Sequence, residues 1–184
     1  LSVGRLPVVI TVLLIFLHGT FYAFLLNGFH ELSHRTVFKT RFLNEFFLRI
    51  YSFLSWFNFV FFRESHKQHH LYTLHPPDDL EVVLPIKFTL KDFLLRAFVN
   101  PMGLYELPRN TIRHALGHIS GEWPEKLFPA ENVKLRKKLS RWSWVLLIGH
   151  ALNTGFCIAL GLWMIPLLTT FAPLYGNWFL YLCN

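Results

Sequence analysis

Two long stretches without a charged side chain limit the folds open to this protein. Residues 6–29 (LPVVITVLLIFLHGTFYAFLLNGF) contain none, and neither do residues 142–184. As helix, the first run reaches about 36 Å at ~1.5 Å per residue, more than the ~30 Å hydrocarbon core of a bilayer. The second is long enough for two passes with a turn between them. Composition agrees: 53% of the 184 residues are hydrophobic, 20 are Phe, and the mean hydropathy is +0.35, too apolar for an ordinary soluble domain. The sequence therefore predicts an all-α integral membrane protein. Residues 6–29 form one transmembrane helix, residues 142–184 a transmembrane hairpin, and residues 30–141 a cytoplasmic block with interfacial amphipathic helices. That makes about three spans in a single domain. The first run lacks a basic leader and a small-residue cleavage site, and it is too long for the apolar core of a signal peptide. Leu1 is not an initiator methionine and Asn184 falls at the end of an apolar run, so the sequence reads as a fragment. Cys157 and Cys183 lie in predicted spans and are expected to be packed or lipid-facing thiols.

Charge supplies the topology. Of the 18 Lys and Arg only Arg5 lies outside residues 35–141, and all 11 acidic residues lie between Glu31 and Glu131, leaving the central block a net charge of about +6. Positive loops stay on the cytoplasmic side, which places that block there. The cluster Lys134, Arg136, Lys137, Lys138 and Arg141, just ahead of Trp142 and Trp144, marks where the chain enters the membrane. The charge follows membrane edges and no binding motif accompanies it, so a nucleic-acid partner is excluded; anionic lipid headgroups fit instead. Residues 46–62 (FFLRIYSFLSWFNFVFF) are apolar and aromatic, but Arg49, Ser52, Ser55 and Asn58 interrupt them and 17 residues is short for a span. They are expected to form an interfacial or re-entrant helix. Residues 88–105 read as an amphipathic surface helix that stops near Pro101 and Gly103.

Ten histidines are many for this length, and five fall in two groups. His30 and His34 frame His-Glu-Leu-Ser-His at the end of the first span, and on a helix i and i+4 share a face. His66, His69 and His70 stand at i, i+3 and i+4, a single stripe of three imidazoles. Imidazole suits iron, zinc and copper, whereas magnesium and calcium prefer oxygen. Two such groups at predicted membrane edges, both on the cytoplasmic side, point to one metal site.

With a His-x-x-x-His after a transmembrane helix, a His-x-x-His-His about 30 residues on, and then an apolar hairpin, the sequence resembles the membrane fatty acid desaturase and hydroxylase superfamily over its whole length. The resemblance implies a di-iron centre, with His30 and His34 as the first histidine box and His66, His69 and His70 as the second. It implies O2 as oxidant, an acyl lipid as substrate, and a small electron donor such as cytochrome b5 or ferredoxin. It also implies a membrane setting, endoplasmic reticulum or bacterial inner membrane. The family's third histidine box, which follows the last hairpin, is absent here, and Asn184 stands where the family can supply a further ligand; with five imidazoles for two irons, the sequence as given is expected to bind iron poorly and to be inactive by itself. An unactivated C–H bond needs an oxidant that no side chain provides, which fits a metal cofactor.

Two other readings use the same residues. His-Glu-Leu-Ser-His also satisfies the zinc metalloprotease pattern, with Glu31 as general base; that reading leaves the second triple unexplained. His18 and His150, inside predicted spans, could hold a haem axially in an electron carrier, or could be polar packing residues. His114 and His118 form another i, i+4 pair, expected to belong to an interfacial helix. His75 precedes Pro76-Pro77 and is expected in a turn. Asp78, Asp79 and Glu81 are expected in a solvated turn, the alternative being hydrogen bonds to metal-ligating histidines or contacts to lipid headgroups.

Overall fold

The computed structural model describes residues 6–82 and 89–183 and is all-α, with no strand among the described residues. Helices α1 (Val8–Ala23) and α2 (Leu25–Ser33) run on through Phe24, whose backbone stays close to helical. Together they make one apolar rod of 26 residues, about 39 Å long. Helix α8 (Val133–Ala159), of 27 residues, is the second rod long and apolar enough to cross a membrane. Between them lie α3 (Arg41–Leu54), α4 (Phe59–Tyr72), α5 (Leu90–Arg96), α6 (Pro101–Ala115) and α7 (Glu122–Leu127). After α8 come α9 (Met164–Leu168), a 3-10 turn at Ala172–Leu174, and α10 (Trp178–Cys183).

Two expectations need correction, those for residues 46–62 and 88–105, and residues 142–184 are more broken than a plain hairpin. The hairpin predicted over 142–184 has one long arm only. Gly161 takes a left-handed turn (φ +71°), and Pro166, Pro173 and Gly176 (φ +77°) then break the chain into short pieces, so two described helices reach spanning length. The long arm also begins nine residues early, because Asn132 caps α8 by accepting from Leu135 N. The basic cluster is therefore the first turns of the same helix. Residues 46–62 are not one helix: α3 ends at Leu54, Trp56 turns left-handed (φ +59°), and Asn58 restarts the helical path as the N-cap of α4. Residues 88–105 likewise hold two helices, and Pro101 starts the second at its first position, where a missing N–H costs nothing. Asn184 lies outside the described residues.

The core sits in the middle block. Phe29 and Leu32 from α2, Leu48 from α3, Phe59 and Val60 from α4, Leu127 and Phe128 at the end of α7, and Leu139 from α8 bury together. Each contributes roughly 1.5–3 kcal/mol of side-chain burial, enough to make five helices one body. The corner between α3 and α4 is bolted to α8 by polar contacts. Asn58 Nδ2 donates to Leu139 O and Ser143 Oγ, and Trp142 Nε1 donates to Ser52 Oγ at 2.7 Å. Deeper along α8, His150 lies flat between Phe53 and Trp56, ring centroids 4.3 and 4.0 Å away.

Residues 172–176 close the other side against α1. Gly176 N donates to Phe98 O, and Asn100 N donates to Leu174 O. A side chain on Gly176 would be driven into the backbone of Gly19 and Thr20, at a φ that L-residues avoid. Gly176→Ala is therefore expected to cost at least about 2 kcal/mol. In thermal unfolding of the detergent-solubilised protein the midpoint should fall by ~4–8 °C.

Candidate metal centre

α2 and α4 bring the two histidine groups face to face. His34 Nε2 is 3.5 Å from His30 Nε2 and 3.3 Å from His66 Nε2, and His66 Nε2 is 3.0 Å from His70 Nε2. The ligand atoms of His30, His34 and His66 all lie within 4.8 Å of one another. His69 stands at the edge, its ring 5.7 Å from that of His66 and 6.1 Å from that of His70. All five predicted residues are thus in one cluster, four of them joined through Nε2 and the fifth beside them. A crossing at residues 46–62 would have put the groups on opposite faces of the bilayer; the corner at residues 55–58 returns the chain to the same side.

The tautomers are decided from behind. A carboxylate only accepts, so His66 Nδ1–H donates to Glu81 Oε1 (2.7 Å) and His69 Nδ1–H donates to Asp79 Oδ2 (2.7 Å). With its proton on Nδ1, His66 presents a bare lone pair at Nε2, toward His34 and His70. Nitrogen lone pairs at 3.0–3.3 Å repel unless a proton or a cation lies between them. Two imidazoles that share one metal at ~2.0–2.1 Å stand roughly 2.8–3.4 Å apart at octahedral or tetrahedral angles, a range that holds the His66–His70 and His34–His66 spacings. Burial and the neighbouring imidazoles His30, His66 and His70 hold His34 below the usual histidine value. Burial lowers His66 too, against the opposing pull of Glu81. Both are neutral at pH 7, the form that binds metal.

A second layer fixes the carboxylates. Glu81 Oε2 accepts from Ser65 Oγ (2.5 Å), which in turn accepts from Trp123 Nε1 (3.1 Å) on α7. Asp79 is fully buried and accepts from Leu74 N (2.8 Å) and Glu81 N (2.9 Å) as well as from His69. Burial would raise the Asp79 carboxyl; the backbone N–H groups of Leu74 and Glu81, and His69, outweigh it and hold it below the usual value. Lys126 on α7 reaches Pro77 O and Asp78 Oδ1 and ties down the same loop. Asp79 and Glu81 are therefore not in a solvated turn. Their position directly after a histidine triple is the one signal of this in the sequence.

The remaining histidines go elsewhere. Glu31 accepts on the Nδ1 side of His30 (2.9 Å) with its side chain largely exposed, turned from the Nε2 cluster where a protease base would act. His150 Nε2–H donates to Phe53 O (2.9 Å), so Nδ1 accepts from Thr170 Oγ1 (3.0 Å), which itself accepts from Asn153 Nδ2. Neither nitrogen is left for a haem iron, and His150 is a packing residue. His18 Nδ1 meets the Tyr175 hydroxyl at 3.3 Å. His75 caps the end of α4, its Nδ1 2.8 Å from the carbonyls of Tyr72 and Thr73. His114 ends α6 and stacks on Phe61; His118 follows a left-handed Gly117, past the helix.

In comparison with known proteins, the sequence pattern of the fatty acid desaturase family matches residues 6–182. No curated protein and no solved structure matches the sequence.

Proposed function

Because the chain belongs to the fatty acid desaturase family, membrane-bound oxidoreductases of lipid metabolism, we propose that its histidine cluster holds an iron pair that uses O2 to oxidise the C–H bonds of acyl lipids. His30, His34, His66, His69 and His70 are the protein ligands in this reading, and a donor such as cytochrome b5 or a ferredoxin supplies the electrons. The observation that carries it is the convergence of four Nε2 atoms from two helices at metal-sharing distances. The bound metal, with O2, supplies the oxidising power that side chains lack. The protein's own residues supply the rest. Asp79 and Glu81 orient His69 and His66 and raise their basicity. Phe62, backed by Phe29, packs against His30 and His66 from the core side.

A cavity of about 390 Å³ supports the acyl substrate. Ala23, Leu26, Phe57, Leu107 and Leu174 give it an apolar wall, with Glu106 and three asparagines (Asn100, Asn110 and Asn177) also lining it, and Leu26 is one helical turn before His30. An acyl tail entering from the lipid would lie along that wall. The positive block, residues 30–141, sits on the cytoplasmic side in this reading, where a soluble electron donor can reach it, at the endoplasmic reticulum or a bacterial inner membrane.

The test is metal analysis of the purified protein together with product analysis after incubation with acyl lipid, O2 and reductant. Iron in preference to zinc is expected at the cluster, with two irons per molecule and an oxidised acyl product only where a third histidine box of the family's kind completes the ligand set, since five imidazoles do not fill the coordination of two irons. One zinc per molecule and no O2-dependent product would replace this reading with a zinc hydrolase.

A further inference from the structure

We infer that Glu45 is a positioning residue that sets the spacing between the two histidine groups, by holding the helices that carry them on a single carboxylate oxygen. Arg35, the residue after His34, places Nε 2.8 Å from Glu45 Oε1. Arg63, one turn before His66 on α4, places Nη2 2.8 Å from the same Oε1. Arg49 adds Nη2 at 3.5 Å to Oε2, and its Nη1 donates to Glu45 O (2.8 Å). Glu45 therefore sits on α3 between the end of α2 and the middle of α4, and touches both.

The local structure is built for this contact. Arg35 takes a left-handed conformation (φ +63°) as α2 ends, its N–H bonded to Leu32 O. That turn sends its side chain back toward α3. Asn44, buried next to Glu45, holds the intervening loop by donating to Phe38 O and Thr40 O and accepting from Phe38 N. Arg63 is largely buried, and its contact is an ion pair off the hydrogen-bond axis: its Nε and Nη2 hydrogens meet no well-aligned acceptor. Its guanidinium also lies over the Phe59 ring, with Arg49 and Lys138 near the same ring. Glu45 is the carboxylate in contact with these three arginines. Arg63 and Arg35 hold its own pKa down to about 2 against the effect of burial, so it stays charged across the working range.

Apolar packing between α2 and α4, such as Phe29 on Phe62, is non-directional and leaves helix rotation soft. Rolling either helix would swing an imidazole out of reach. A charged contact beside the histidines removes that freedom. The role of the spacing in metal binding rests on the reading above; the spacing itself does not.

Spin labels at Thr36→Cys and Lys67→Cys, with Cys157 and Cys183 replaced by serine, report the distance between the two segments in detergent. Co2+ titration of the unlabelled protein reports the site through its d–d absorption. In Glu45→Gln the distance distribution should broaden and Co2+ affinity fall about 10–100-fold, with helicity by circular dichroism retained. Arg35→Gln, which removes the exposed arm and leaves the Glu45–Arg63 pair, should broaden the distance in the same direction and keeps the test readable if Glu45→Gln does not fold. An unchanged distance distribution in either folded variant overturns the inference, whatever the metal does. A broadened distribution in a protein whose parent binds no Co2+ upholds the spacing role and overturns the metal reading alone.

Discussion

His66→Ala is expected to empty the metal centre while leaving the fold intact. His66 is the hub of the cluster: its Nε2 faces both His34 and His70, and its ring centroid is 4.6 Å from that of His30. Its outer nitrogen is the one that Glu81 holds. Removing it takes away a ligand and the bridge between the two groups together. The loss should exceed the ~10–100-fold typical of removing a partner behind a ligand, so bound iron and acyl oxidation both drop below detection. The ring is buried against Phe62 and the other imidazoles, but Phe59 and Val60 still anchor α4 in the core, so the helical spectrum should stay. Glu81→Gln belongs on the milder scale, because it keeps Nδ1 a partner. Metal content of His66→Ala, Glu81→Gln and the parent protein, measured side by side, checks the order. Iron retained by His66→Ala would show that the site lies elsewhere.

Asp79→Ala should be the most damaging change outside the apolar core. Three donors converge on this buried carboxylate: Leu74 N, Glu81 N and His69 Nδ1. Alanine leaves all three without their acceptor in a place where water does not replace it, at about 1–3 kcal/mol each. Relaxation of the 73–82 loop recovers part, so a net loss of about 3 kcal/mol or more is expected. Asp79→Asn keeps an acceptor for one or two of these donors and should fall between. Denaturant melts in detergent would rank the three proteins. The same loop carries Glu81, so Asp79→Ala should also weaken metal binding, whereas a surface change at Asp78 should not.

What is legible in the sequence follows from periodicity and charge. The first span, the all-α class and the meeting of His30 and His34 with His66, His69 and His70 can be read because 3.6-residue spacing and uncharged runs are local signals. The misses are non-local. Nothing local shows that Trp56 will turn left-handed, because what holds it there is Thr170 O, 114 residues away. Pro101 reads as a stop although it opens α6; proline suits both ends of a helix, and only Asn100 capping Gly103 N decides between them. Pro166, Pro173 and Gly176 mark the broken second arm of the hairpin, but uncharged composition outweighs them in a reading by hydropathy. Asp79, Glu81 and Glu45 look like ordinary surface acids until the fold brings histidines and arginines to them.

The corner at residues 55–58 also constrains how the protein is made. Its polar partners come late in the sequence: Ser52 waits for Trp142, Phe53 O for His150, and Trp56 for Thr170. At roughly 5–20 residues per second, the gap of 114 residues between Trp56 and its acceptor is about 6–23 s of synthesis. Throughout that interval the aromatic stretch has left the ribosome and cannot close. It must wait at the bilayer surface or under a chaperone until α8 arrives. Because the helices that carry the two histidine groups hang from this corner, the histidines come together only after α8 is in place.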